Sequence, residues 1–305
     1  MMKQGQEFDV IVCGSLHLDI MVHSPHLPRL DETAVGTAWG MVCGGKGGNQ
    51  AVMSARMGAR TAMISRVGDD AFGLQLTSNL ASNGVDISEI SMDETRGSGM
   101  SVAILQPDGN YGAVIVSGAN QGLRAEGSRR SLKNLASAKV LVLQNEIPGG
   151  VNAAIAAAAF GRAHVILNAA PARAMEANLY DHIDTLVANR VEAEMVSGRL
   201  VSDMDSAVAA LPALGSGRRN VIVTLGGEGL VLQARGGEPI RIKAHPVTVV
   251  SSHGAGDCFI GALACRLALG QTLVEAARFA SHAAATYVSL KEADRNQFTA
   301  GSVAP

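Results

Sequence analysis

Residues 252–263 read Ser-His-Gly-Ala-Gly-Asp-Cys-Phe-Ile-Gly-Ala-Leu, and how they read decides the fold. Small residues at Gly254, Ala255 and Gly256 run straight into an apolar helical pattern with Asp257 in its first turn. A helix that opens this way leaves its first N–H groups bare at the positive end of its dipole, ready for an anion, with a carboxylate beside them. The chain is rich in Ala and Gly and poor in aromatics (3%), which suits helices packed closely on a sheet.

Outward from that stretch, short β-rich runs alternate with longer helical patterns, which predicts an α/β fold with a mostly parallel sheet. Strands are expected at 9–14, 61–67, 139–143, 164–168, 184–188 and 219–224. Helices are expected at 47–58, 71–83, 150–160, 203–214, 256–269 and 272–289. Two regions break the alternation. Residues 18–42 carry short extended runs around Pro25, Pro28 and Asp31. Residues 99–117 alternate as Val102, Ile104, then Tyr111, Val114, Val116 around the turn Pro107-Asp108-Gly109-Asn110. Both read as strands of a small β-sheet lid, inserted at about 18–42 and 99–117 in one continuous domain, 1–305.

Composition narrows the function classes. Hydrophobic residues make up 47% of the 305 and charged residues 17%, which fills a core and argues against disorder. The net charge is -2 without a long basic run, so no nucleic-acid partner is expected. No apolar run of about 18 residues and no signal-peptide core appear, so no membrane partner and a cytoplasmic location are expected. Cys13, Cys43, Cys258 and Cys265 show no CxxC pairing and read as reduced thiols.

At Gly254 to Asp257, free N–H groups can take phosphoryl oxygens while the Asp257 carboxylate accepts the proton of an attacking hydroxyl. The helix dipole weakens that base by about 0.3–1 kcal/mol, which loose phosphoryl transfer tolerates because the proton leaves late. An N-capping Asp after a glycine turn reads equally well. A second glycine cluster, Gly44-Gly45-Lys46-Gly47-Gly48-Asn49-Gln50, opens another helix. It is neither a Walker A motif, since Gly47 follows Lys46, nor a dinucleotide fingerprint. Its glycines let backbone approach a ligand, and Asn49 offers both donor and acceptor to hydroxyls; a plain capping turn is the alternative. Thr224-Leu225-Gly226-Gly227-Glu228-Gly229, after the strand Val221-Ile222-Val223, is either a phosphate-hugging turn or a glycine hairpin. Asn189 and Glu192 can hold a Mg²⁺ shell through waters, or simply start a helix. Asp19 and Glu146, just past strand candidates, can accept from sugar hydroxyls or cap turns. One site for an anionic donor and one for a polar acceptor give a kinase of a small hydroxylated molecule.

Taken in order, these segments resemble the ribokinase branch of the ribokinase/PfkB carbohydrate kinases over nearly the whole chain. The resemblance is carried by Gly14-Ser15-Leu16-His17-Leu18-Asp19, the Gly44–Gln50 run, Gly68-Asp69-Asp70-Ala71-Phe72-Gly73 and Ser117-Gly118-Ala119-Asn120. It continues in Leu143-Gln144-Asn145-Glu146, Asn168-Ala169-Ala170-Pro171-Ala172, the Asn189/Glu192 pair and both late glycine motifs. It implies a three-layer α/β/α sandwich with a small β-sheet lid. It also implies transfer of the γ-phosphoryl group of ATP to a primary hydroxyl of a small sugar, ribose or a related pentose or ketose. Asp257 would be the general base, with Gly254, Ala255 and Gly256 as the anion hole. Sugar contacts would come from His17, Asp19, Gly45, Lys46, Gly47, Gly48, Asn49, Glu146 and Asp257. Nucleotide contacts would come from Asn189, Thr224, Leu225, Gly226, Gly227, Glu228, Gly229 and Gly256, with Ser281 near the base and Mg²⁺ near Glu192 through water. The lid sheet of ribokinases also forms a dimer interface, so a homodimer is expected.

The chain departs from that pattern in several places. Ser251-Ser252 stands where the family usually has Asp-Thr, and Lys291-Glu292-Ala293 and Asn296 stand where it has Lys-Gly-Ala and a Ser. The missing Asp helps hold an activating K⁺ in the family. A neutral Ser251 cannot offset K⁺ desolvation as a carboxylate would, so weak or absent K⁺ activation is expected. His17 stands where ribokinases carry an Asn facing the sugar, which leaves the identity of the sugar open. A nucleoside kinase is the near alternative, although Trp39, the sole tryptophan, supplies little of a stacking clamp. A catalytically weak sugar- or nucleotide-binding regulator is the alternative from another class.

Overall fold

In the computed structural model, which describes residues 8–108, 110–125 and 138–303, Val10 and Val12 face one way from their strand while Ile11 and Cys13 face the other. All four are buried, and a strand apolar on both sides has to lie between two layers. Gly109 of the expected turn and both ends of the expected 1–305 domain lie outside the described residues.

The strands are β1 (Val10–Cys13), β2 (His17–His23), β3 (Ala38–Gly44), β4 (Thr61–Gly68), β5 (Asp86–Asp93), β6 (Met100–Leu105), β7 (Tyr111–Val116) and β8 (Val140–Leu143). They continue as β9 (His164–Asn168), β10 (Thr185–Asn189), β11 (Asn220–Thr224), β12 (Gly229–Gln233) and β13 (Pro239–Lys243). Among the described residues the large sheet has the order β13-β12-β11-β10-β9-β8-β1-β4-β5. It is parallel from β11 to β5, and β12 and β13 add antiparallel at one edge. The helices are α1 (Lys46–Arg56), α2 (Ala71–Ser82), α3 (Gly149–Ala159), α4 (Ala177–Tyr180), α5 (Arg190–Ser197), α6 (Met204–Ala210), α7 (Ala255–Ala268) and α8 (Leu273–Ser289).

Alternation along the strands sends side chains to two separate cores. Val10, Val12 and Met63 pack with Met53, Leu76, Leu263 and Ala276 of α1, α2, α7 and α8. Ile11, Leu141 and Leu143 pack with Ile155, Leu179, Ala193 and Ala207 of α3 to α6. The result is the three-layer α/β/α sandwich. A separate sheet, ordered β3-β2-β6-β7, stands at the ends of β1 and β4, with β2 and β6 parallel and its other pairs antiparallel.

Several elements differ from the sequence reading. The edge strand β5 was not expected, because Ser88, Glu89 and Ser91 dilute its apolar signal. The β12–β13 hairpin was also unexpected. Helix α6 ends at Ala210 rather than 214, just before Pro212, which has no N–H to continue a helical ladder. No described helix is long and apolar enough to cross a membrane. The four thiols are free, and burial pushes Cys13 up to about 12 and Cys265 to about 11, which makes both inert.

Candidate active site

Helices α1 and α7 both begin on a glycine in the left-handed half of backbone space, Gly45 (φ 84) and Gly254 (φ 78), and neither has a side-chain cap. At α1 the protein fills the open end itself. The Lys46 N–H donates to Glu146 Oε2 at 2.8 Å, and the Ser15 hydroxyl donates to the same oxygen. The next free N–H groups are also used, with Gly48 donating to the Ser15 carbonyl at 3.0 Å.

The α7 end is arranged differently. Ala255 N–H turns back to the Ser252 carbonyl at 3.2 Å, but among the described residues the N–H groups of Gly256 and Asp257 have no partner. They border a cavity of about 190 Å³ lined also by Lys46, Asn168, Asn189, Glu192 and Thr224.

Asp257 is held from α1. Gln50 Nε2 donates to its Oδ1 at 2.9 Å and Asn49 Nδ2 to its Oδ2 at 3.1 Å. The amide of Gln50 cannot flip, because its Oε1 accepts from Gln144 Nε2 at 2.7 Å. Its Nε2 also donates to Asn168 Oδ1 at 3.1 Å. This reach across two helices depends on Gly261, one turn past Asp257. A Cβ there would stand 2.6 Å from Met53 Cβ and 2.9 Å from the Gln50 carbonyl.

Burial raises the Asp257 pKa above the ordinary carboxylate range even though the side chain reaches the cavity, and Glu146 adds to the rise. The Lys46 charge and the two amide donors work against it. Glu192 is shifted the same way, mainly by burial, again with Lys46 opposing. Both carboxylates therefore sit in one desolvated environment with one lysine charge acting on each.

A model of the pfkB family of carbohydrate kinases matches residues 8–298. The chain belongs to that family. It is 34% identical to a Haemophilus influenzae ribokinase over 284 residues, 92% of each chain. It is 33% identical to a Salmonella typhi deoxyribokinase over 261 residues, 84% of each. A solved Arabidopsis thaliana ribokinase complexed with ribose and ATP superposes with a TM-score of 0.92 at 30% identity, covering 97% of both chains. The family makes this chain an ATP-dependent carbohydrate kinase.

The other expected site residues of this pfkB-family kinase fall in three places. On the small-sheet side, His17 is buried, with Nε2 3.4 Å from Asn120 Nδ2 and Nδ1 3.9 Å from Glu146 Oε2. Asp19, on β2, accepts from the Ser101 hydroxyl, and its carboxylate occupies the space a Cβ on Gly44 would need. Gly47 and Gly48 lie buried against the β1–β2 connection, so they position α1 rather than face the cavity. On the opposite side, Asn189 caps α5 in a capping box with Glu192, which takes Asn189 N–H and Nδ2 at 2.8 Å each. The helix-start alternative therefore holds for this pair, while both residues also line the cavity. Leu225 to Glu228 form the tight turn between antiparallel β11 and β12, with Gly229 opening β12, and Glu228 is tied to Arg190 Nη2 at 2.7 Å. The segment is thus a hairpin turn, and Thr224 just before it lines the cavity. Ser281 stands on α8, outside the cavity lining, beside His282, whose ring stacks on His245 with centroids 4.1 Å apart.

Sequence reasoning missed Gln50, Gln144, Asn168 and Asn120 as site residues. Each lay inside a quoted motif, but the signal that separates them is burial with a polar partner, which spacing does not carry.

Proposed function

We propose that the protein transfers the γ-phosphoryl group of ATP to a primary hydroxyl of a small sugar, ribose or a related pentose or ketose, with Asp257 as general base. One observation carries this reading: a desolvated Asp257, oriented by Asn49 and Gln50, stands beside unpartnered N–H groups on a polar cavity. Support for the acceptor comes from the ribokinase and deoxyribokinase relatives.

The acceptor hydroxyl passes its proton to the Asp257 carboxylate, whose raised pKa makes it a better proton acceptor than an ordinary Asp. Gly256 and Asp257 N–H groups receive the charge on the transferred phosphoryl oxygens, and the Lys46 side chain adds a positive charge to the same cavity. His17, Asp19 and Glu146 orient the sugar, and Asn189, Thr224 and the turn 225–229 hold the nucleotide, with Ser281 near its base. The donor set fits Mg²⁺. Glu192 and Asp257 face one cavity, and among the described residues no cluster of three His, Cys, Asp or Glu completes a cage, so waters and phosphate oxygens would fill the shell. When bound, Mg²⁺ supplies charge neutralisation between the phosphates.

The small sheet is the lid of this reading, and its exposed Trp39, Met41, Val42, Val114, Ile115 and Val116 are the surface for a homodimer. Free buried thiols suit the cytoplasm.

The test is ADP release from Mg·ATP across pentoses, ketohexoses, sugar acids and nucleosides. Turnover on a pentose or ketose is expected. Turnover on nucleosides alone makes it a nucleoside kinase, and ligand binding without any turnover makes it a regulator.

A further inference from the structure

Arg295 lies in a short 3-10 turn (Glu292–Gln297) beyond α8 and is 7% exposed. Its Nη2 donates to the Ser251 carbonyl at 2.6 Å and its Nη1 to the His253 carbonyl at 3.0 Å. The guanidinium also lies over the Tyr287 ring, 4.6 Å from the centroid, and that ring stands 3.2 Å from where a Cβ on Gly254 would be. Arg56 Nη1 donates to the Arg295 carbonyl at 2.8 Å and pins the turn to α1. Among the described residues no carboxylate pairs with Arg295.

A buried cation held by carbonyl dipoles and by Tyr287, without a carboxylate among the described residues, is an expensive arrangement, and both carbonyls belong to the residues that lead into the anion hole. Carbonyl oxygens are what an alkali-metal ion would take, helped by a carboxylate. Ser251 brings no charge, and a second cation at these oxygens would meet the guanidinium. The residues do not fit K⁺.

We propose that Arg295 is a built-in cation, a positioning residue that fixes Ser251–Gly254 so that the N–H groups of Gly256 and Asp257 meet the phosphoryl group, and that it makes turnover independent of K⁺. This rests on the kinase reading.

The experiment compares wild type, Arg295→Ala and Arg295→Lys in Na⁺ and K⁺ buffers, with and without added guanidinium ion. Wild type is expected to run equally in both salts. Arg295→Ala is expected to lose about 10²-fold in kcat with sugar KM nearly unchanged, because the turn is displaced rather than the sugar site. Guanidinium ion should restore part of that loss, ethylammonium should not, and Arg295→Lys should fall between. K⁺ stimulation of the wild type, an Arg295→Ala kcat close to wild type, or a loss that guanidinium leaves unrepaired overturns the proposal. If Arg295→Ala does not fold, Arg295→Lys decides: an intermediate kcat supports the proposal and a wild-type kcat overturns it. No wild-type turnover on any sugar or nucleoside instead ends the kinase reading. Calorimetric Mg·ATP affinity then tests Arg295, with weakening in Arg295→Ala that guanidinium recovers supporting it and unchanged affinity overturning it.

Discussion

Among the described residues two helices open on a bare glycine cap, and the fold treats their ends in opposite ways. The starts of α2, α5, α6 and α8 are closed by the side chains of Asp70, Asn189, Asp203 and Thr272. The starts of α1 and α7 are not. At α1, the loop after β8 brings Glu146 onto the Lys46 N–H and so supplies an internal anion. At α7, among the described residues no such group reaches the N–H groups of Gly256 and Asp257, which look into the cavity. Similar local chemistry thus serves architecture at one end and a substrate at the other. Whether a carboxylate is delivered from elsewhere in the fold makes the difference.

The largest effect is expected at the open end. Asp257→Asn keeps one acceptor oxygen for Gln50 Nε2, and the Asn49 amide can turn its oxygen to the new NH2. The base is removed, so kcat falls by about 10²–10⁴-fold while ATP and sugar still bind, as steady-state and calorimetric measurements would show. The same substitution raises Tm. Burial lifts the folded-state pKa of Asp257 above the ordinary carboxylate range, so the folded protein keeps this proton to higher pH than the unfolded chain. Stability is then lost as pH climbs from the unfolded pKa through the folded one, and an uncharged Asn avoids that loss. A dead variant that gains no stability at neutral pH would refute desolvation as the cause.

Gly254→Ala comes next. Its side chain would be strained by about 1–2 kcal/mol in the left-handed region and would press on the Tyr287 ring at 3.2 Å. Displacing the turn lowers kcat by about 10²-fold, and an unchanged kcat would show that this end does not hold the phosphoryl group. At the filled end, Glu146→Gln leaves an acceptor for Lys46 and Ser15 but removes the charge. Sugar KM is expected to rise by about tenfold, the worth of a charged hydrogen bond. If only Tm moves, Glu146 is an architectural cap alone.

Lys46→Met sharpens the contrast through pH. The lysine charge holds the Asp257 pKa down, and activity is lost as pH falls through that pKa, so removing the charge moves the acid limb of kcat/KM to higher pH. An unmoved limb would separate Lys46 from the base. The smallest effect belongs to a closed end far from the cavity: Thr272→Ala costs about 1 kcal/mol by thermal melting and leaves kcat alone.

The alternation of strands and helices was legible in the sequence because β1, β8 and β9 are apolar runs bounded by glycines and polar turns. The polar edge strand β5 was not, since a strand exposed on one side and flanked by charge loses its pattern. Asp257 and Asn49 were legible as chemistry because each follows a glycine cluster at a helix start. Gln50, next to Asn49, was read past, since its role comes from Gln144 and Asp257, 94 and 207 residues further along the chain. Arg295 gave no local signal at all. Its partners are carbonyls, and carbonyls have no side-chain letter.

Gly261 turns the missing methyl between α1 and α7 into a spacer of adjustable thickness. Alanine and then serine at that position would wedge the helices apart by successive fractions of an ångström. Each step would lengthen the reach from Asn49 and Gln50 to Asp257 without altering any of the three. Turnover plotted against wedge size would then measure how sharply proton transfer depends on distance in this enzyme, with a single residue serving as the ruler.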